Sequence, residues 1–413
     1  MSDKKNIPST ESYKGVRDFY PKDMFVQNYI FSVMRTVAER YGYVEYGASI
    51  LEPAELYRSK TSEEIVSEQT YTFTDRGERE VTLRPEMTPT LARMIAAKRR
   101  ELAFPLRWYS IPNVFRYERP QRGRLREHWQ LNADIFGVAS IEAEVEIISL
   151  AYHVMKKFGA KDEDFEIRIN SRKLAQAYLE EKLFDRAHYP TAARLVDRKE
   201  KMTPKEFEEE WQKISSHSFD MNIAPNELVN DVIKGLATRD IKNVTFYPTL
   251  MRGFDYYIDV VFEVFDTNPK NNRSLFGGGR YDNLLEIFGE DSIPAVGFGM
   301  GDVTIRDFLE TRGLLPEYRP STDVYLIPIS ASDLPAAQKI AYTLRTSGIN
   351  VAVDLTDKKV GDKIKLADKQ SIHFALFVGE AEVKNEAYKL KNLRTQEEKT
   401  LPVEEVVRFV KGL

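Results

Sequence analysis

The sequence contains no cysteine, which excludes disulfides, thiolate zinc sites and cysteine nucleophiles together. Histidine is scarce as well. The five residues (His128, His153, His188, His217 and His373) show no His-x-x-x-His spacing and no obvious carboxylate partners, so no metal site is expected. There is no Gly-x-Ser-x-Gly nucleophile elbow, no Gly-Lys-Ser/Thr ending of a P-loop and no Gly-x-Gly-x-x-Gly dinucleotide fingerprint. No apolar run approaches the ~18–20 residues of a membrane span. The polar start, MSDKKNIPSTES, lacks the apolar stretch of a signal peptide, so a soluble, cytoplasmic protein with no membrane partner is expected. An excess of one charge is missing too. The 60 Lys+Arg stand against 64 Asp+Glu, for a net charge of −4, and any affinity for a polyanion must come from local clusters.

What is present is ordinary globular material: 413 residues, 42% apolar and 30% charged, enough for two or three domains. Apolar spacing predicts a helix over 23–42, with Gly42 placed to end it, then a strand from Tyr43 to Leu51. Gln69–Thr74 and Glu80–Leu83 read as short strands around an Asp75-Arg76-Gly77 turn. Leu106–Arg116 and His128–Gly137 form a long antiparallel hairpin around the loop Tyr117–Glu127, and Ile141–Lys157 is an amphipathic helix. The stretch 167–243 is rich in Glu and Lys and reads as a helical insertion. Its Thr203, Pro204 and Glu206 form a capping box with proline at the first helical position. Strand character returns at Val244–Tyr247, Tyr256–Phe265 and Ala295–Met300, with a glycine-rich loop at 274–282 and a helix from about Asp302. After a proline-bearing linker at 313–322, strands at Val324–Pro328, Val351–Leu355 and Phe374–Val378 alternate with helices, the pattern of a small α/β domain with a parallel sheet.

Four stretches have the residues for chemistry. The Phe115–Glu127 segment holds five arginines against two glutamates, a set suited to phosphate oxygens, although a solvated hairpin tip would carry the same charges. In Arg252-Gly253-Phe254-Asp255-Tyr256-Tyr257 an Arg and an Asp precede two aromatics, and strand alternation predicts that Tyr256 and Tyr257 point to opposite layers. Gly277-Gly278-Gly279-Arg280-Tyr281-Asp282 allows close backbone approach. Leu83-Arg84-Pro85-Glu86-Met87-Thr88 puts a carboxylate and a hydroxyl at a helix mouth, with Thr88 a candidate cap.

Taken jointly and in this order, these stretches resemble the class II aminoacyl-tRNA synthetases and, within them, the histidyl-tRNA synthetase family. The resemblance begins at Lys14-Gly15-Val16-Arg17-Asp18-Phe19-Tyr20-Pro21 and runs through Tyr71–Asp75, Leu83–Glu86, the Phe115–Gln130 hairpin (motif 2), Arg252–Tyr257, Gly278–Asp282 and Pro294–Gly301. It implies an α+β catalytic core, an antiparallel sheet flanked by helices, in two parts (1–166 and 244–315) around the insertion at 167–243. An anticodon-binding α/β domain at 321–413 and a homodimer follow from the same resemblance. The implied reaction joins histidine and ATP into histidyl-adenylate and transfers the histidyl group to the 3′ end of tRNA(His). Arg116 and Arg252 match the catalytic positions. Glu86, Thr88 and Gln130 match those that hold the amino and carboxylate ends of histidine, and Asp134, Tyr257 and Tyr281 those at the imidazole. Glu118 and Arg124 match ATP-binding positions, Arg119 and Gln121 the reach toward the tRNA acceptor end, and Mg²⁺ is implied as a companion of ATP. The segment Lys358–Lys369 has five Lys against two Asp, and Lys358, Lys359 and Lys363 are candidates for anticodon phosphates; a solvated helix face is the competing reading.

The chain departs from the family pattern in three places. Motif 3 ordinarily ends with an arginine facing the ATP γ-phosphate, where this chain has Thr304, so either Arg306 reaches in or another cation substitutes. Ser49 replaces the usual motif 1 proline, and Ile258-Asp259 replaces a Thr-Gly pair. The loss at motif 3 motivates an alternative: a catalytically impaired paralogue acting as a regulatory or tRNA-sensing protein.

Overall fold

The computed structural model describes residues 8–58, 69–119, 122–251, 256–271 and 273–412. Arg252 and Gln121 lie outside the described residues. The chain divides into two compact units, Met1–Pro316 and Glu317–Leu413.

The first unit is organised by a sheet that runs, from one edge, Val44–Glu45, Leu106–Ser110, Glu127–Phe136, Ala295–Gly301, Ser274–Arg280, Val260–Asp266, Phe165–Ser171 and Val244–Phe246. Asn113–Phe115 adds to Glu127–Phe136 off this path. The middle strands pair antiparallel and both edge pairs are parallel. Alternation along Glu127–Phe136 sorts its side chains. Leu131, Ala133 and Ile135 enter the main core, under the helices Pro21–Arg40, Glu142–Lys157, Glu227–Ala237 and Asp302–Thr311. Gln130, Asn132 and Asp134 take the other face, where the helix Thr88–Lys98 packs with Tyr256, Tyr257 and Tyr281.

Two ion-pair hubs lock this arrangement. Asp302, fully buried at the start of its helix, accepts from Arg17 Nη2 (2.7 Å), Gln27 Nε2 (2.8 Å) and the Trp129 backbone N–H (2.9 Å). Arg280 forms a buried fork with Glu144, with Nη2 to Oε2 at 2.6 Å, tying the sheet to the helix Glu142–Lys157.

Several expectations need correction. The predicted loop at 274–282 is the strand Ser274–Arg280, because glycines there let neighbouring chains close in. A Cβ on Gly278 would overlap the Gly297 carbonyl oxygen. The predicted strand from Tyr256 begins at Val260, so alternation does not apply to Tyr256 and Tyr257, and both are buried in one layer. Thr88 is the first helical residue, not the cap, and Met87 at the cap position makes no side-chain bond. The helical insertion is narrower than 167–243: Phe165–Ser171 is a sheet strand and Glu227–Ala237 packs into the main core. What remains has its own core around Leu179, Leu195, Phe207 and Trp211, and its Thr203–Glu206 capping box forms as predicted.

In the second unit, Val324–Pro328 pairs parallel with Val351–Val353 and Phe374–Val378. Two antiparallel strands, Tyr388–Asn392 and Glu398–Leu401, extend the sheet, which is therefore mixed rather than parallel. Their sequences, YKLKN and EKTL, are too polar to signal a strand.

The glycine contact gives a direct prediction. Gly278→Ala should lower the unfolding free energy by about 3 kcal/mol, read as a lower urea midpoint; an unchanged midpoint would mean that the strands do not approach so closely.

Candidate active site

The site is built on one row of residues crossing the sheet. Val261 pairs with Gly279, Gly279 with Gly297, Gly297 with Asp134, and Asp134 with Trp108. The two glycines leave a trough. A Cβ on Gly297 would strike the Asp134 carboxylate, and one on Gly279 would fall 2.9 Å from Tyr257 Cδ1. Two pairs further along the strands, a Cβ on Gly299 would strike the Gln130 amide. Side chains of Asp134, Gln130 and Tyr257 thus lie against bare backbone.

Asp134 is buried and accepts a hydrogen bond from the Tyr281 hydroxyl. Burial pushes its carboxyl up to about 7, against which the Tyr281 bond works only in part. Tyr281 in turn is raised well above the ordinary tyrosine value, by burial first and then by Asp134. The ring of Tyr281 stands edge-on to Phe136 (5.8 Å) and Tyr256 (5.8 Å), and 6.5 Å from Tyr257. Glu86, also buried, accepts from the Tyr256 hydroxyl at 3.0 Å, and its backbone carbonyl from Tyr57 at 3.3 Å. Gln130 Nε2 donates to Asn132 Oδ1 at 2.6 Å.

Gln130, Asp134, Tyr257 and Tyr281 therefore gather on the face of the sheet away from the main core, with Glu86 joined to them through Tyr256 and Thr88 at the start of the adjoining helix. Arg116, at the root of the arginine-rich loop, donates from Nε to the Pro85 carbonyl (2.9 Å), so it is held beside the Glu86 segment. Further out, Arg124 pairs with Glu118 at 3.3 Å, and Arg119 is exposed. His128 lies near this loop; burial, then the charges of Arg116 and Arg17, lowers it to about 3. Among the described residues no group of three His, Cys, Asp or Glu is arranged to hold a metal ion.

Two candidates are placed elsewhere than expected. Arg306 is taken up by Asp23 on the first helix at 2.7 Å. Lys363 is buried, donating to the Pro328 carbonyl at 3.1 Å and lying 3.6 Å from Asp354, so it is not part of a phosphate-facing row. Lys358 and Lys359 are exposed. Sequence reasoning missed Tyr256 as the partner of Glu86, and also Tyr46, whose buried hydroxyl lies beside Ser110 and near enough to Asp134 to feel its charge. A tyrosine in a short edge segment has no spacing signal that would reveal it.

The histidyl-tRNA synthetase family model matches residues 15–222 and 214–303, and an anticodon binding domain model matches 323–413. A histidine–tRNA ligase of Leptospira biflexa is 42% identical over 430 residues, spanning 98% of each chain. This chain belongs to the histidyl-tRNA synthetase family. A histidine–tRNA ligase of Haloarcula marismortui is 37% identical, across 95% of this chain and 96% of its own. The crystal structure of histidyl-tRNA synthetase from Nostoc sp. PCC 7120 shares the fold of this family member. Its TM-score is 0.83 at 21% identity, and the match covers 98% of this chain and 100% of that one.

The Asp134 environment sets a pH dependence. A carboxyl raised above its ordinary 3.8 binds its proton more tightly in the folded chain, so its contribution to stability is full below that value and is lost as pH rises through about 7. Asp134→Asn should flatten the fall in unfolding free energy between pH 4 and 8 by roughly 4 kcal/mol at most. Urea titrations across that range check it, and parallel pH profiles for parent and variant would contradict it.

Proposed function

We propose that this chain is a histidine–tRNA ligase that condenses histidine with ATP to histidyl-adenylate and then transfers the histidyl group to the 3′ end of tRNA(His). The observation that carries this reading is the 42% identity to a histidine–tRNA ligase along 98% of both chains. Nothing favours the catalytically impaired alternative.

In this reading the buried pair Asp134–Tyr281, with Tyr257, receives the imidazole. A carboxylate accepts from a ring N–H and a phenol can serve the other nitrogen, so an apolar isostere would leave buried polar groups unpaired. Glu86, Thr88 and Gln130 take the ammonium and carboxylate ends of histidine. The histidine carboxylate then attacks the α-phosphorus, and two anions must be brought together. Arg116 and Arg252 offset that repulsion and stabilise the charge that builds on the phosphoryl oxygens. Glu118 and Arg124 embrace the nucleotide. No protein nucleophile is needed, in keeping with a chain without cysteine.

Mg²⁺ would accompany ATP and offset the charge of its phosphates. Arg119 and Gln121 reach toward the tRNA acceptor end, and Lys358 and Lys359 toward anticodon phosphates, without Lys363. We also propose a cytoplasmic homodimer; no helix among the described residues is long and apolar enough to cross a membrane. The catalytic core, narrowed insertion and domain from about 321 complete the division of labour.

Histidine-dependent ATP–pyrophosphate exchange tests the proposal. The purified chain should exchange only with histidine, and Arg252→Ala should cut the rate at least ~100-fold while tRNA binding stays within about twofold. Absence of histidine-dependent exchange in the parent chain would refute the ligase reading.

A further inference from the structure

Arg273 sits just before the strand Ser274–Arg280. Its side chain crosses to the arginine-rich loop, where Nη1 donates to the Arg122 carbonyl oxygen. The same nitrogen lies directly against Gly123, in the place a Cβ would take. Gly123 has φ +78°, a backbone conformation that favours glycine, and the guanidinium fills the room this leaves. That point is also 3.7 Å from Thr304 Cγ2. Thr304 itself is turned away, its hydroxyl donating to the Leu275 carbonyl at 2.7 Å. Arg273 and Thr304 thus border one small space between the loop and the first turn of the helix Asp302–Thr311.

Four arginines around this space are paired with carboxylates, and Arg273 is not. Arg122 is paired with Asp307 (2.9 Å), Arg124 with Glu118 (3.3 Å), Arg17 with Asp302 (2.7 Å) and Arg306 with Asp23 (2.7 Å). Among the described residues Arg273 meets no carboxylate, and its side chain bonds only a neutral carbonyl. Among the described residues its positive charge is therefore uncompensated and most of its five N–H donors are unspent. The ligand chemistry that satisfies such a group is a phosphate, taken in the fork of the guanidinium.

We propose that Arg273 grips the terminal phosphates of ATP, supplying from the neighbouring strand the cation that Thr304 cannot supply from the helix. The inference rests on the ATP-dependent reaction proposed above. In that reaction a carboxylate oxygen of histidine bonds to the α-phosphorus. The bond from that phosphorus to the bridging oxygen breaks, and its electron pair leaves on pyrophosphate. Arg273 holds the group on which this negative charge collects, so it acts on the leaving group and has no part in recognising histidine.

Calorimetric binding of ATP and of AMP to the full chain tests the assignment. Arg273→Ala should weaken ATP binding about 10- to 100-fold and leave AMP within about twofold. Arg273→Lys should fall between the parent and the alanine variant. Adding Thr304→Arg to Arg273→Ala should restore most of the lost ATP affinity, which a merely structural role for Arg273 would not allow. In exchange assays the KM for ATP should rise while that for histidine holds. ATP affinity unchanged in Arg273→Ala, or ATP and AMP weakened alike, would overturn the proposal. A parent chain that binds ATP through Arg273 yet shows no exchange would count against the ligase reading and not against Arg273.

Discussion

A carboxylate can lie flat on a β-sheet only where the adjoining strand presents no side chain beneath it. Gly297, opposite Asp134, meets that condition, and Gly279 continues the bare row beneath Tyr257. Because the acid is then sealed under aromatic rings, burial raises it to about 7, so that it holds its proton far more tightly than an exposed aspartate does, and the Tyr281 hydroxyl is its fixed partner. Pairing register, burial and proton affinity are thus one constraint seen at three levels. The proposed recognition of a ring with one donor and one acceptor nitrogen draws on all three.

The remainder of the first unit keeps that row in place. Asp302 gathers the segment at Arg17, the helix bearing Gln27 and the strand bearing Trp129 onto one carboxylate. Arg280, next to Tyr281, is held by Glu144 from the opposite face of the sheet. Breaking either hub would leave a buried charge without its partner, a cost of about 3–5 kcal/mol. Polar floor and ionic supports therefore sit on opposite sides of the same strands.

Much of this was legible in the sequence. The β run at His128–Gly137 and its hairpin with Leu106–Arg116 were read from the sequence and form, and the Thr203–Glu206 box announces its helix. The glycine run was misread because glycine is depleted from ordinary strands, and only the partner strand reveals why it is needed here. Lys363 was misread because a lysine-rich segment says nothing about which lysine turns inward; the buried Asp354 and Pro328 carbonyl that receive it come from other elements. Arg273 had no motif around it, and its meaning comes from Gly123 and Thr304, distant in sequence and adjacent in space.

In the proposed function, a glycine-floored trough positions Asp134 to receive histidine. Gly297→Ala places one methyl group into that trough at the Asp134 carboxylate. Calorimetric titration of this variant with histidine and separately with ATP is the most direct measurement. Histidine affinity should be at least ~10-fold weaker, from the loss of one buried charge-assisted hydrogen bond, with ATP affinity within about twofold of the parent. Histidine affinity equal to that of the parent would contradict it.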